Sequence, residues 1–228
     1  MIKSDIVMDF ERYQRCGIEE AVFCESKTAA QISAVAEQAL QRQRRLLLTR
    51  LSSDKLAQLP LELQSQLSYD PLAACAVLGE QVAPIGEACI AVLSGGASDA
   101  RLCHEIQITL NYHGVSCDMY QDVGVAALWR LQRILPELQR YDIIIAVAGM
   151  EAALPTVLAG LIDAPIIAVP APVGYGVAAG GQVALSSCLA SCSGAIMTMN
   201  IDNGYGAACA AIKIYHKIYK AERRQNDR

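Results

Sequence analysis

The chain has 228 residues and a formal net charge of -4, with charged residues at 18% and aromatics at 5%. That length holds one large domain, or an ordinary domain beside a small one, and either buries a real core. The acidic balance, with a pI near 5.4, argues against a general nucleic-acid binder, which carries a basic face.

Small residues supply much of the apolar content, which suits close helix–sheet packing and an oligomer that hides further surface. No apolar run reaches the roughly 18 residues of a membrane span, and the start MIKSDIVMDFERYQR has no signal-peptide core. The nine cysteines are odd in number and scattered through apolar segments. No pair or Cys/His cluster has zinc spacing; Cys188 and Cys192 are four apart and lack companions. The expectation is a cytoplasmic chain, without a membrane or nucleic-acid partner, whose thiols are reduced and mostly buried.

In chain order, residues 1–20 are polar and mixed. AVFCE (21–25) reads as a short strand. Thr28 opens a helix with Ile32, Val35, Ala36, Ala39 and Leu40 on one face. LLLTRLS (46–52) is strand-like, SDKLAQL (53–59) makes a helical turn or two, and YDPLAACAVLG returns to an apolar run. Pro84 and Gly86 mark a connector. From Ala88 the pattern becomes regular. Strands are expected at 88–95, 115–121, 142–149, 165–170 and 195–201. Helices are expected over 99–113, 126–139, 151–162 and 182–190, with a long one at the end. This predicts a small α/β domain (1–84) before an α/β domain (85–228) with a doubly wound parallel sheet. In such sheets ligands bind beyond the carboxyl ends of the strands. Loops 94–99, 122–126, 149–155 and 170–181 fall there, so one site built from several loops is the economical reading.

Gly95 and Gly96, with Ser98 and Asp99, join the first strand of that sheet to its helix. Paired glycines let backbone amides approach an anion, although a tight turn with an N-cap explains the same residues. There is no P-loop and no GxGxxG fingerprint. Gly149, Met150 and Glu151 follow the most apolar strand; Glu151 is either a helix-dipole partner or a general acid/base. The segment 170–181, with Gly174, Tyr175, Gly176, Gly180 and Gly181, is a ligand cradle or a mobile surface loop. Cys192 stands out among the cysteines because serines and glycine surround it. Asp202 and Asn203 cap the last helix, or bind ribose or a metal ion. His104, His113 and His216 read as ordinary surface or capping residues. QRQRR (41–45) and the terminal KAERRQNDR read as solvated faces.

LSGGASD, GVSCDMY, IIIAVAGMEAALP, PIIAVP and GYGAACAA resemble, in that order, the motifs of the aminoimidazole-ribonucleotide (AIR) carboxylase/mutase fold. The sequence departs from the purine enzymes in two loops. Their SAHR segment is replaced by Gln121-Asp122-Val123-Gly124-Val125, and their AAHLP histidine becomes Ala153, with Glu151 two residues earlier. Those departures, with DVGVAALWRL, PAPVGYG, Cys192, NIDNGYGAA and the amino-terminal CGIEEAVFCESKT, resemble the LarB family, except that Ser26 stands where a glycine is usual. The resemblance runs from about residue 9 to about residue 215.

The resemblance implies a PurE-like, flavodoxin-like sheet and a symmetric octamer. It also implies carboxylation of nicotinic acid adenine dinucleotide at pyridinium C5 by CO2 or bicarbonate. Cleavage of the phosphoanhydride then releases AMP and pyridinium-3,5-biscarboxylic acid mononucleotide, the first step toward the nickel-pincer nucleotide cofactor. Cys192 matches the nucleophile and Glu151 is the candidate for the C5 proton. Gly95, Gly96, Ser98, Asp99, Asp122, Gly149, Met150, the glycines and Tyr175 of the 174–181 loop, Asp202, Asn203 and Lys27 would hold substrate. Mg2+ would assist hydrolysis, with its position open. Glu25 and Lys27 are the amino-terminal contributors. Rival readings are a purine-type carboxylase/mutase, which lacks its shuttle histidine here, and a non-catalytic nucleotide-binding subunit.

Overall fold

Thr28 begins the first long helix with a reciprocal cap: its Oγ1 accepts the Gln31 amide at 3.2 Å, and its own amide donates to Gln31 Oε1 at 3.0 Å. In the computed structural model, which describes residues 6–80, 82–83 and 87–226 with side chains to 219, the chain divides into two compact units, Met1–Ala83 and Pro84–Arg228. Pro84 and Gly86, and the terminal KAERRQNDR side chains, lie outside the described residues.

The first unit contains α1 (Arg12–Cys16), β1 (Ala21–Phe23), α2 (Ala29–Gln41), β2 (Leu46–Thr49), α3 (Ser53–Ala57), α4 (Leu61–Gln64), β3 (Leu67–Asp70) and β4 (Cys75–Leu78). Its sheet has the order β1-β2-β4-β3, with β1 parallel to β2 and the other pairs antiparallel. Helix α2 buries Ile32, Val35, Ala36 and Ala39 against that sheet, while Leu40 stays 38% exposed near the helix end. The sequence missed α1 and α4. It also read the 69–79 run as one apolar stretch, whereas the chain folds back as a β3–β4 hairpin. Asp70 begins that turn by accepting the Ala73 amide on Oδ1 at 2.9 Å, the usual work of an aspartate ahead of a proline in a turn.

The second unit contains β5 (Ile90–Ser94), α5 (Ala100–Tyr112), β6 (Cys117–Tyr120), α6 (Leu128–Leu138), β7 (Ile143–Ala148), α7 (Ala153–Ala159), β8 (Ile166–Pro170), α8 (Gln182–Leu189), β9 (Ile196–Thr198) and α9 (Gly204–Asn226). All strands are parallel, in the order β6-β5-β7-β8-β9. This is the doubly wound α/β sheet expected from the alternation of strands and helices. Every residue of β5, β7 and β8 is buried, because helices cover both faces of the sheet. Leu131, Leu138, Leu158 and Ala184 of α6, α7 and α8 pack with Leu93, Ile144 and Ala146 on one face. The alternate strand residues serve the face covered by α5 and α9. There the small residues at the start of α9 allow close approach: a Cβ on Gly204 would stand 2.9 Å from Glu105 Oε2 and 3.2 Å from the Leu102 carbonyl.

The chain leaves β5 toward β6 on one side and later returns to β7 on the other. The connections therefore diverge at the carboxyl ends of β5 and β7, where a crevice opens between them.

Candidate functional site

That crevice is a cleft of about 240 Å³. Gly95, Gly96, Ser98 and Asp99 line it from the β5 exit, and Gly124, Val125 and Ala126 from the β6 exit. Residues 148–154 form its β7 wall, and Val173 reaches it from the loop after β8. The chemistry-bearing loops expected from the sequence thus meet at one sheet edge.

The loops interlock through backbone where glycine leaves room. A Cβ on Gly124 would lie 2.3 Å from the Gly95 carbonyl oxygen, and one on Gly149 would lie 2.2 Å from that of Val173. Directly after Gly149, the Met150 amide donates to the Val173 carbonyl at 2.8 Å. Ser94 ties two exits together: its Oγ accepts the Asp122 amide at 2.9 Å and its carbonyl accepts the Val123 amide at 2.9 Å. Gly174 packs against Ala178, and Gly181 combines φ of +80° with a carbonyl 2.9 Å from its missing Cβ. Gly176 and Gly180 face open space, and Tyr175 is 78% exposed. Met150 and Ala152 take positive φ values of 51° and 47°, a left-handed conformation that costs about 1–2 kcal/mol for a residue with a side chain. The strain fixes the turn that presents Glu151 between them.

Asp99 is 4% exposed. Its Oδ2 accepts the Gly96 amide at 2.9 Å, while its buried Oδ1 has no hydrogen-bond partner among the described residues. Burial raises its pKa, and the Gly96 hydrogen bond only partly opposes that. A buried acceptor without a partner is costly, and this one borders the cleft. A ligand hydroxyl or amide that donated to Oδ1 would relieve the cost. Glu151 is an exposed carboxylate on the β7 wall, in the turn before α7.

Other candidates lie outside the lining. Asp122 is ion-paired with Arg130 of α6, and Asp202 with Arg101 of α5. Asn203 caps α9, its Oδ1 accepting the Gly206 amide at 2.8 Å. Lys27 belongs to the amino-terminal unit, in the β1–α2 loop, with Glu25 beside it and paired to Arg50 at 3.7 Å. The sequence reading did not single out Arg101 and Arg130, which hold Asp202 and Asp122. Each lies on a helix that follows a site loop, which was the available signal.

Cys192 is the exposed one of nine free cysteines. Burial pushes the Cys24, Cys103 and Cys117 thiols up to about 12, so they stay protonated and inert. Cys192 sits in the loop entering β9. Ser191 Oγ accepts from Thr156 Oγ1 at 2.9 Å, and Ser193 Oγ donates to the Thr156 carbonyl at 2.9 Å. These bonds hold the loop against α7, whose amino-terminal turn borders the cleft. Within one chain Cys192 is not part of that lining, so the structure brings together Gly95, Gly96, Ser98, Asp99, Gly149, Met150 and Glu151 but leaves the thiol, and Gly174, Tyr175, Gly176, Gly180 and Gly181, outside.

Among the described residues no group of three or more His, Cys, Asp or Glu could hold a metal ion. The two cleft carboxylates, Asp99 and Glu151, do not make a metal cage by themselves. No helix among the described residues is long and apolar enough to cross a membrane.

Residues 89–226 match the AIR carboxylase family and residues 5–80 match the LarB/PurE-like N-terminal domain. An uncharacterized protein of Methanocaldococcus jannaschii is 31% identical over 229 residues, covering 95% of this chain and 87% of that protein. The N5-carboxyaminoimidazole ribonucleotide mutase of the same organism is 31% identical over 128 residues, covering 55% and 77%. Among solved structures, Treponema denticola PurE and a singly substituted PurE2 from that organism each show 19% identity and a TM-score of 0.44. Each covers 60% of this chain and at least 94% of that protein. With both domain matches in sequence order, the chain belongs to the LarB family and carries a PurE-like AIR carboxylase domain at its carboxyl end.

Proposed function

We propose that the protein carboxylates nicotinic acid adenine dinucleotide at pyridinium C5 and hydrolyses its phosphoanhydride, releasing AMP and pyridinium-3,5-biscarboxylic acid mononucleotide. The observation that carries this reading is the chemistry of the cleft. Among the described residues that line it, the titratable side chains are the buried Asp99 and the exposed Glu151, with no histidine. A purine-type reaction that shuttles a proton through histidine lacks its group there. The match to the mutase over 55% of the chain favours that second reading, and turnover of aminoimidazole ribonucleotide would establish it.

A cationic pyridinium ring is electron-poor, and its C5 does not attack CO2. Addition of the Cys192 thiolate to a ring carbon beside C5 gives a neutral, enamine-like ring. Its C5 then forms the new bond to CO2. The Glu151 carboxylate takes the C5 proton, and the electron pair left behind expels the thiolate and restores aromaticity. Ala148, Ala152 and Leu154 give an apolar wall suited to CO2, while glycine amides and Asp99 hold phosphate and ribose.

Because Cys192 stands outside the lining of its own cleft, this route requires the thiol to come from a second copy or by movement of its loop. An octamer is part of the proposal. Magnesium would arrive with the substrate's phosphates and supply Lewis acidity for hydrolysis.

The test is incubation with the dinucleotide, bicarbonate and magnesium. AMP and the doubly carboxylated mononucleotide should appear in equal amounts. AMP release without the carboxylated product overturns the reading.

A further inference from the structure

Among the described residues, no lysine or arginine lines the cleft, although the substrate proposed above carries two phosphates joined to an adenine nucleoside. Cations and an aromatic surface lie a few residues away. Ala126 lines the cleft, and three residues later, in the first turn of α6, Trp129 is 59% exposed. A 3-10 turn ends at Ala127 and α6 begins at Leu128, so three residues of chain keep the Trp129 backbone within about 11 Å of Ala126 and the β6 rim of the cleft. Helix α6 buries Leu131, Ile134 and Leu138 on its inner side, which leaves Trp129 outside the core.

The guanidinium carbons of Arg130 and Arg133 each lie 5.8 Å from the Trp129 ring centroid, within cation–π range. Arg130 is also anchored: it donates to the Asp122 carbonyl at 3.2 Å and pairs with the Asp122 carboxylate. An exposed indole offers a flat, amphipathic face on which a ligand ring can stack. Two guanidiniums beside it favour a flat aromatic group that carries negative charge. A purine ring linked to phosphate fits both features, the base stacking on the indole and the phosphates facing the guanidiniums. An apolar protein surface would satisfy the indole and leave the Arg133 guanidinium beside it facing no negative charge.

We propose that Trp129, Arg130 and Arg133 form a stacking subsite for the adenylate half of the substrate, beside the cleft that holds the pyridinium mononucleotide half. The proposal rests on the dinucleotide reading above. The chain has a single tryptophan, so intrinsic indole emission reports on position 129 alone.

Titrating AMP and nicotinic acid adenine dinucleotide into the full chain should quench that emission saturably, by about twofold or more. Nicotinic acid mononucleotide at the same concentration should leave it unchanged. Trp129→Ala should raise KM for the dinucleotide by about tenfold while kcat changes little, and Trp129→Phe, which keeps a stacking ring, should recover most of the loss. Turnover of the dinucleotide with no quenching by it or by AMP, or with an unchanged KM in Trp129→Ala, overturns the subsite and leaves the reaction standing. Saturable quenching by AMP without turnover supports the subsite and overturns the reaction.

Discussion

The two edges of the parallel sheet are built to different standards. At the carboxyl edge, Asp122, Met150, Ala152 and Asp202 hold positive φ. Gly124 and Gly149 admit no Cβ there, and Asp99 is buried with an oxygen lacking a hydrogen-bond partner among the described residues. At the amino edge the helix-to-strand connections around Gly114 and Gly160 are ordinary turns, and Gly160 has no neighbour closer than 3.6 Å to its missing Cβ. The difference locates the site, since strain and buried charge persist only where the surrounding structure and a function demand them. One loop complicates the contrast: the segment ahead of β9, at the amino edge, carries Cys192 and holds Ala195 at a positive φ of 54°.

The largest expected effect comes from adding one methyl group at each edge. Gly149→Ala drives a Cβ into the Val173 carbonyl and should cost about 3 kcal/mol or more, together with loss of turnover. Gly160→Ala, at φ of -89°, should fall within about 1 kcal/mol of the parent. Urea unfolding of the two variants measures the gap, and equal stabilities would erase the claimed difference between the edges.

The division between what could and could not be read from the chain follows the same line. Five strands alternating with helices, the middle three fully buried, leave an unmistakable period, and glycines in 94–99 and 149–155 announced loops where backbone approaches backbone. The β3–β4 hairpin was less legible. Ala76, Val77 and Leu78 are buried like a helix or parallel strand, and the turn depends on one Asx contact at Asp70. Within the site, Asp99 and Glu151 reached the cleft because each lies in a loop that leaves one of the two central strands β5 and β7. Asp122 and Asp202 also follow strands but turn to Arg130 and Arg101, partners eight and 101 residues away. The position of each arginine on a helix after a site loop does not reveal which aspartate it takes, nor does any spacing show on which side of α7 the Cys192 loop settles.

Glu151→Gln sharpens the functional side of the comparison. The side chain is exposed and unneeded for packing, so stability should hold while carboxylation falls by about a hundredfold or more. Comparison of initial rates with unfolding midpoints separates the two, and an unchanged carboxylation rate would remove Glu151 from the proton transfer.

Asp99→Asn has a smaller effect with a distinctive pH signature. Burial raises the folded-state pKa of Asp99 above its ordinary 3.8. The folded protein therefore binds this proton more tightly than the unfolded chain. Its contribution to stability is fully present below that ordinary value and is lost as pH rises through the folded pKa. A neutral amide in its place has no such penalty. The variant should match or exceed the parent's stability at neutral pH and lose that advantage below about pH 4, while binding the substrate less well. A parent that gains stability over the same rise in pH would contradict the burial of an ionised Asp99.

The most direct test asks whether Cys192, at the less constrained edge, bonds to the ligand. The protein is incubated with nicotinic acid adenine dinucleotide without CO2, weighed intact by native mass spectrometry, and mapped by peptide mass. An adduct on the Cys192 peptide, absent in Cys192→Ala, is the expected result, and with bicarbonate restored the variant should give no carboxylated product. Full carboxylation by Cys192→Ala contradicts the covalent route.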